Sequence, residues 1–269
     1  MPSTYAHRRF GQDVLAALDA PHRSRAAADP DLFQIGLHGP DLLFYYKPFS
    51  HHALHAEGAR MHRLSGEEYF AACGSTFLER GPRKSEYSYL CGFLCHYALD
   101  RACHGYINTL AAAGDVSHEE IESEFDRILL EEDGLDPVRT NTASNIRPSA
   151  RAARAASPYF PGASEEEILA GIRSFVTFNR LLALPGRIAY RPIDALLRHL
   201  PAYPLIHGHM INLDPNPLCE ESNADLRRLY EEAVPDACLF IRSFLPAVRG
   251  EIPWPAEMQD NFEGLPHNE

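Results

Sequence analysis

The chain has 269 residues, of which 45% are hydrophobic and 23% charged, enough to bury a sizeable core and ordinary for a globular protein. Its formal charge of −12 opposes bulk attraction to nucleic acid, and no apolar run is long enough to span a bilayer, so neither stable nucleic-acid binding nor a transmembrane segment is expected. The segment Met1–His7 lacks the basic start and apolar stretch of a secretory signal, which makes a cytoplasmic setting the expectation.

Helix signals dominate along the chain. Thr4 can cap a helix running to about Leu18, with Phe10, Val14, Leu15 and Leu18 on one side. Ser65 with Glu68 opens a helix through about Glu79. Tyr87 to about Ala112 reads as a long apolar helix ended near Gly114. Ser117 with Glu120, and Ser164 with Glu167, begin two more, the first carrying Ile121, Phe125, Ile128 and Leu129. A last long helix follows Asn223 and is expected to bend at Pro235. The stretches 19–60, 133–163 and 184–222 are rich in Pro, Gly, Asn and Asp and read as ordered loops or short helical turns. Arg147–Ser157 is the expected flexible linker, although it divides no two core signatures. Alternating β patterns are nearly absent, so the expectation is a single all-α domain over residues 1–269.

Six cysteines show no CxxC pair, and Cys91, Cys95 and Cys103 sit among small and aromatic neighbours, where they read as reduced core residues. The histidines are more informative, since ten of the fourteen fall within residues 1–118. His96, Asp100 and His104 are spaced by four on the apolar helix, and His118, Glu122 and Asp126 repeat the spacing on the next. A buried carboxylate without a partner costs several kcal/mol, on the order set by desolvation, and metal coordination is one of the few remedies. A hydrogen-bonded Asp–His pair inside a bundle is the competing reading of the first stripe, and a solvated acidic helix start that of the second. Upstream, His7 lies on the first helix. Asp41 follows a Gly39-Pro40 turn that could fix a carboxylate at a loop edge, or could let it cap the next turn. His51, His52, His55 and His62 come next. There is no HExxH and no ExxH, which argues against zincin proteases and ferritin-like di-iron bundles.

The order of these pieces resembles the zinc-dependent phospholipase C family, a multi-helix bundle whose fold is shared with P1-type nucleases. Thr4-Tyr5-Ala6-His7 is similar to its N-terminal histidine motif and Gly39-Pro40-Asp41 to its loop aspartate. Gly58-Ala59-Arg60-Met61-His62 resembles its Gly-x-x-x-His, Gly92 to Asp100 with His104 its central helix, and His118 to Glu122 its closing His-x-x-x-Glu. The likeness covers about residues 4–135. It implies that His7, Asp41, His62, His96, Asp100, His104, His118 and Glu122 ligate two or three zinc ions, with Asp100 as a bridge. His52 remains an alternative to His62. The implied reaction is phosphoester hydrolysis by activated water, with Asp41 orienting or deprotonating that water. The implied substrate is a small phosphoester or a phospholipid. A nuclease or nucleotidase on the same scaffold, and a non-catalytic metal-binding protein, are the rival readings. Phe44, Tyr45, Tyr46 and Phe49 could line a substrate pocket but read more readily as core. No apolar approach surface for a lipid can be separated from the core in the sequence.

Overall fold

A computed structural model of the protein describes residues 4–200 and 203–266. Twelve α-helices are seen among the described residues: α1 Thr4–Ala17, α2 Ala20–Ala26, α3 Pro30–Gly36, α4 Ala53–His62, α5 Gly66–Glu79, α6 Lys84–Ala113, α7 His118–Glu132, α8 Ala150–Ala156, α9 Glu165–Leu182, α10 Arg187–Leu197, α11 Tyr203–Gly208 and α12 Glu220–Val248. The only β pairings among these residues are the isolated bridges Ser65–Asn261 and Asp260–Pro266. The fold is all-α, as its periodicity predicts.

Helix α6 is the axis. Every residue from Glu86 to Asp100 is buried, so the helix is apolar all round because it is enclosed all round. It starts three residues before the expected Tyr87 and ends where expected, at Gly114 with a φ of 90°. Helix α3 crosses it in backbone contact: a Cβ on Gly36 would lie 2.1 Å from the Tyr89 carbonyl oxygen, and one on Gly92 2.1 Å from that of Phe33. That pair of glycines sets how near the turn following α3 can come to the His96 face. Helices α1, α7 and α12 also pack on α6. The main apolar core draws on residues from Tyr5 to Phe262. All six cysteines are free and buried, matching their reading as small core residues.

Several expectations change. Thr4 lies inside α1, and its hydroxyl donates to Asn179 Oδ1 at 3.0 Å; the cap comes from another helix, since Asp126 accepts the Tyr5 and Ala6 amides at 2.8 and 2.7 Å. The expected linker Arg147–Ser157 contains α8, capped by Ser149, with Ala152, Ala153, Ala155 and Ala156 buried against its neighbours. A run of alanines lacks bulky apolar markers, yet its small side chains permit close helix approach. The last helix begins at Glu220 rather than after Asn223, and it runs through Pro235 as one element. The stretch 184–222 contains α10 and α11, and its Leu184, Tyr190 and Met210 are buried with Val138 in a small second apolar cluster.

Candidate metal centre

Five elements deliver the eight candidate donors to one place. On α6, His96, Asp100 and His104 lie one turn apart and are at most 2% exposed. His96 Nε2 stands 3.0 Å from Asp100 Oδ2, and His7 Nε2 of α1 stands 3.2 Å from Asp100 Oδ1. His62, the last residue of α4, places Nε2 3.3 Å from Asp41 Oδ1 and 3.7 Å from Asp100 Oδ2. His104 Nε2 lies 3.8 Å from Asp100 Oδ1 and 3.6 Å from Glu122 Oε1, and His118 Nε2 lies 2.9 Å from that same Glu122 oxygen. Three donor groups result, each with its atoms within 4.8 Å of one another: His7, His96 and Asp100; Asp41, His62 and His96; and His104, His118 and Glu122.

The outer ring nitrogens decide which inner ones are free to accept a cation. His96 Nδ1 faces the Leu37 carbonyl at 3.2 Å, and His62 Nδ1 faces the Gly58 carbonyl at 2.8 Å. A carbonyl only accepts, so each Nδ1 carries the proton and each Nε2 turns a lone pair inward. This outer hydrogen bond is the one that orients metal-binding imidazoles. The inner atoms are then left without hydrogen bonds: His7, His96 and His104 Nε2, Asp41 Oδ1 and both Asp100 oxygens are all buried in this condition. Buried polar atoms are normally paired, so such a concentration fits cations supplied from outside. The donors, imidazole nitrogen and carboxylate oxygen without thiolate, suit zinc.

The electrostatics agree. Burial alone would raise the Asp100 carboxyl, but the facing His96 and His104 rings hold it well below the usual carboxylate range. Burial is likewise outweighed at Asp41 by His96 and His62, so both acids are ionised at neutral pH. Burial, followed by the neighbouring His96 ring, pushes His7 down and keeps it neutral. His62 moves the other way, because the facing Asp41 carboxylate, with that of Asp100, outweighs its burial.

The Gly39-Pro40-Asp41 turn is a short 3-10 helix, Gly39–Leu43. Gly39 takes a φ of 37°, and a Cβ there would sit 2.5 Å from His96 Cδ2, so glycine lets the loop approach that ring. No side-chain hydrogen bond of Asp41 caps the turn, and its carboxylate points at His62. His52 lies elsewhere: it caps α4 by accepting the Leu54 amide at 3.2 Å and packs on Tyr46. His51 is exposed, and His55 holds the Tyr46 carbonyl at 2.7 Å. Asp126, third in the second stripe, belongs to none of the three donor groups and instead pins the first turn of α1, which fixes His7 a residue later. Of the four aromatics, Tyr45 is buried between Phe175 and Phe178, whereas the Phe44 ring stands 5.8 Å from that of His62. Tyr46 is half-buried and Phe49 exposed.

Three contributors carry no motif. His38 is buried with an unpartnered Nε2, its ring 6.3 Å from that of His7, and burial drives its pKa well down. Phe262 returns from the C-terminal segment to pack on His62 and His96. Glu263 Oε2 lies 3.9 Å from His104 Nδ1. His38 could have been noticed from its place directly before Gly39; nothing in the sequence marks the other two. The donors open outward to a cleft of about 590 Å³ lined by His62, His104, His118 and Phe44. Asp41 and Glu122 also border a cavity of about 50 Å³ lined by Tyr190 and His209.

A helical bundle enclosing imidazoles and carboxylates whose inner atoms lack hydrogen-bond partners has the donor groups of a metal-binding protein. The family model for zinc dependent phospholipase C matches residues 6–162, and the chain belongs to that family. No curated protein and no solved structure matches the chain.

Proposed function

We propose that the protein hydrolyses a phosphoester of the phospholipid or small-diester class, with two or three zinc ions held by His7, Asp41, His62, His96, Asp100, His104, His118 and Glu122. The observation that carries this reading is the sharing of donors: His96 belongs to two of the three groups, and Asp100 touches four histidines. Bound zinc supplies Lewis-acid polarisation of the phosphoryl group and a water of lowered pKa. The remaining work falls to the chain. Asp100, ionised and enclosed, sets the spacing of His7, His62, His96 and His104 around itself. Asp41, also ionised, offers Oδ1 as an acceptor that orients the attacking water and takes its proton. The Leu37 and Gly58 carbonyls hold His96 and His62 in one tautomer through the cycle. Phe44 at the cleft gives an apolar neighbour for the leaving group. The unbridged cysteines fit a cytoplasmic setting.

The test joins metal content to turnover. Purified protein should hold at least two zinc ions, seen at these residues by anomalous scattering, and should cleave bis-p-nitrophenyl phosphate; His96→Ala should lose both. Zinc without turnover of any phosphoester would favour the non-catalytic reading. Absence of any transition metal after reconstitution would end the proposal.

A further inference from the structure

The cap that borders the inner cavity is unlike the rest of the surface. Helix α10 turns Tyr190 and Asp194 inward, and Tyr190 borders the cavity that reaches Asp41 and Glu122. Its opposite side shows Ile188, 95% exposed, and Leu196, 70% exposed, with Pro192 and Ala195 between them. Positions 188, 192, 195 and 196 fall on one stripe of a helix. Leu181, at the end of α9, and Leu200 are also exposed beside this segment in the chain. Single exposed leucines are ordinary, but several on one short element mark a contact surface.

Arginines run along one edge of this stripe, in line with Asp194. Arg187, Arg191 and Arg198 follow the apolar stripe at helical spacing, all exposed. Between residues 180 and 213 there are four arginines and one acid, Asp194, in a chain whose total is −12. Two carboxylates face this ridge: Asp214 lies 3.1 Å from Arg187 and 3.9 Å from Arg191, and Asp194 lies 2.8 Å from Arg198. Both are held by exposed guanidiniums that can turn outward. Helices α9 and α10 are together long and apolar enough to cross a bilayer but meet at a bend of 113°, and no single helix among the described residues is long and apolar enough to cross.

We infer that α10 is a membrane-seating helix, which lays Ile188 and Leu196 into the interface of an anionic lipid bilayer while Arg187, Arg191 and Arg198 meet lipid phosphates. The inference deepens the proposed function, because it rests on a phospholipid as substrate. The charge pattern selects the occupant. A chain with a net charge of −12 is repelled overall by an anionic surface, so attraction at such a ridge would also orient the molecule. The bilayer would then lie against the element whose inner side, through Tyr190, lines the cavity beside the donors.

The experiment is co-sedimentation with vesicles of phosphatidylcholine alone and of phosphatidylcholine mixed with phosphatidylserine, using the zinc-loaded full chain. Wild type should bind the mixed vesicles more strongly, and added salt should weaken that binding. Ile188→Asp with Leu196→Asp should cut partitioning by about tenfold or more, since two aliphatic side chains are no longer buried. Arg191→Glu should weaken the preference for phosphatidylserine several-fold. Melting temperature and turnover of soluble bis-p-nitrophenyl phosphate should not change in these variants, because all three side chains are exposed. Equal binding by the double variant, or no vesicle binding by wild type, overturns the inference. So does a concentration-dependent dimer that the double variant breaks, which would give the face to a second copy. Vesicle binding by a protein that cleaves no phosphoester leaves the inference standing while the proposed function fails.

Discussion

Residues 4–132 and the cap at 180–213 solve opposite problems with the same element type. The first region buries charge: Asp41, Asp100 and Glu122 are at most 4% exposed and are surrounded by imidazoles. The second exposes oil: Ile188, Leu196 and Leu181 face outward. Each is costly in isolation, the one by desolvation and the other by contact of apolar surface with water. Each therefore points to a missing component that would repay it, a cation in one case and an apolar surface in the other. The two sides meet at the small cavity, where Asp41 and Glu122 from the first face Tyr190 and His209 from the second.

The comparison can be broken at its charged end first. Asp100→Ala removes the carboxylate that four histidines share, and turnover of bis-p-nitrophenyl phosphate should fall by about 10²–10³-fold or more, the scale for losing a group that organises transition-state charge. A fall below tenfold would mean that Asp100 is not central. Chelation comes next. Ligand binding to the folded state alone contributes about 4 kcal/mol at a thousandfold excess over Kd, and for a chain of this size that is roughly 10 °C in melting temperature. The loss should be recovered with zinc, while limited proteolysis within 184–213 should be the same with and without chelator. Faster cutting there would show that the two regions are coupled.

A smaller effect is expected from Asp126→Ala, which leaves the amides of Tyr5 and Ala6 without their acceptor. Capping losses of about 1–2 kcal/mol follow, read as a lowered urea midpoint, together with reduced zinc affinity because His7 loses its anchor. Unchanged zinc affinity would separate the cap from the centre. The smallest effect is a pH trend in the metal-free protein. His7 and His38 have folded pKa values below their unfolded value near 6.5, so their contribution is full above that pH and is lost as pH falls towards the folded values. Asp41 and Asp100 act in the same direction below about pH 4. His62, which is raised, opposes them, its contribution fading as pH rises above the unfolded value. Urea midpoints should therefore drop between pH 7 and pH 5. A rise would mean that His62 dominates the set.

Much was legible in the chain. Capped starts at Ser117 and Ser164 are capping boxes in the structure, because the hydrogen bonds are local. The i, i+4 stripes on α6 and α7 follow from helical geometry alone, and so does the nearness of His96 to Asp100 and of His118 to Glu122. What the chain could not show is which segments meet. The approach of Asp41 to His62 and His96 depends on two glycines that let α3 touch α6. The Asp126 cap on α1 joins residues more than a hundred positions apart. Phe262 and Glu263 arrive from the far end of the chain with no pattern to announce them. Helix α10 is obscured by Pro192 inside it and by the Pro- and Gly-containing residues before it, which read as a loop; only packing shows that Tyr190 is buried while Ile188 and Leu196 are surface. Local spacing determined which residues could share a helical face. Tertiary contact alone decided which faces enclose charge and which are left to meet something else, since desolvation and burial are properties of surroundings that no local segment contains.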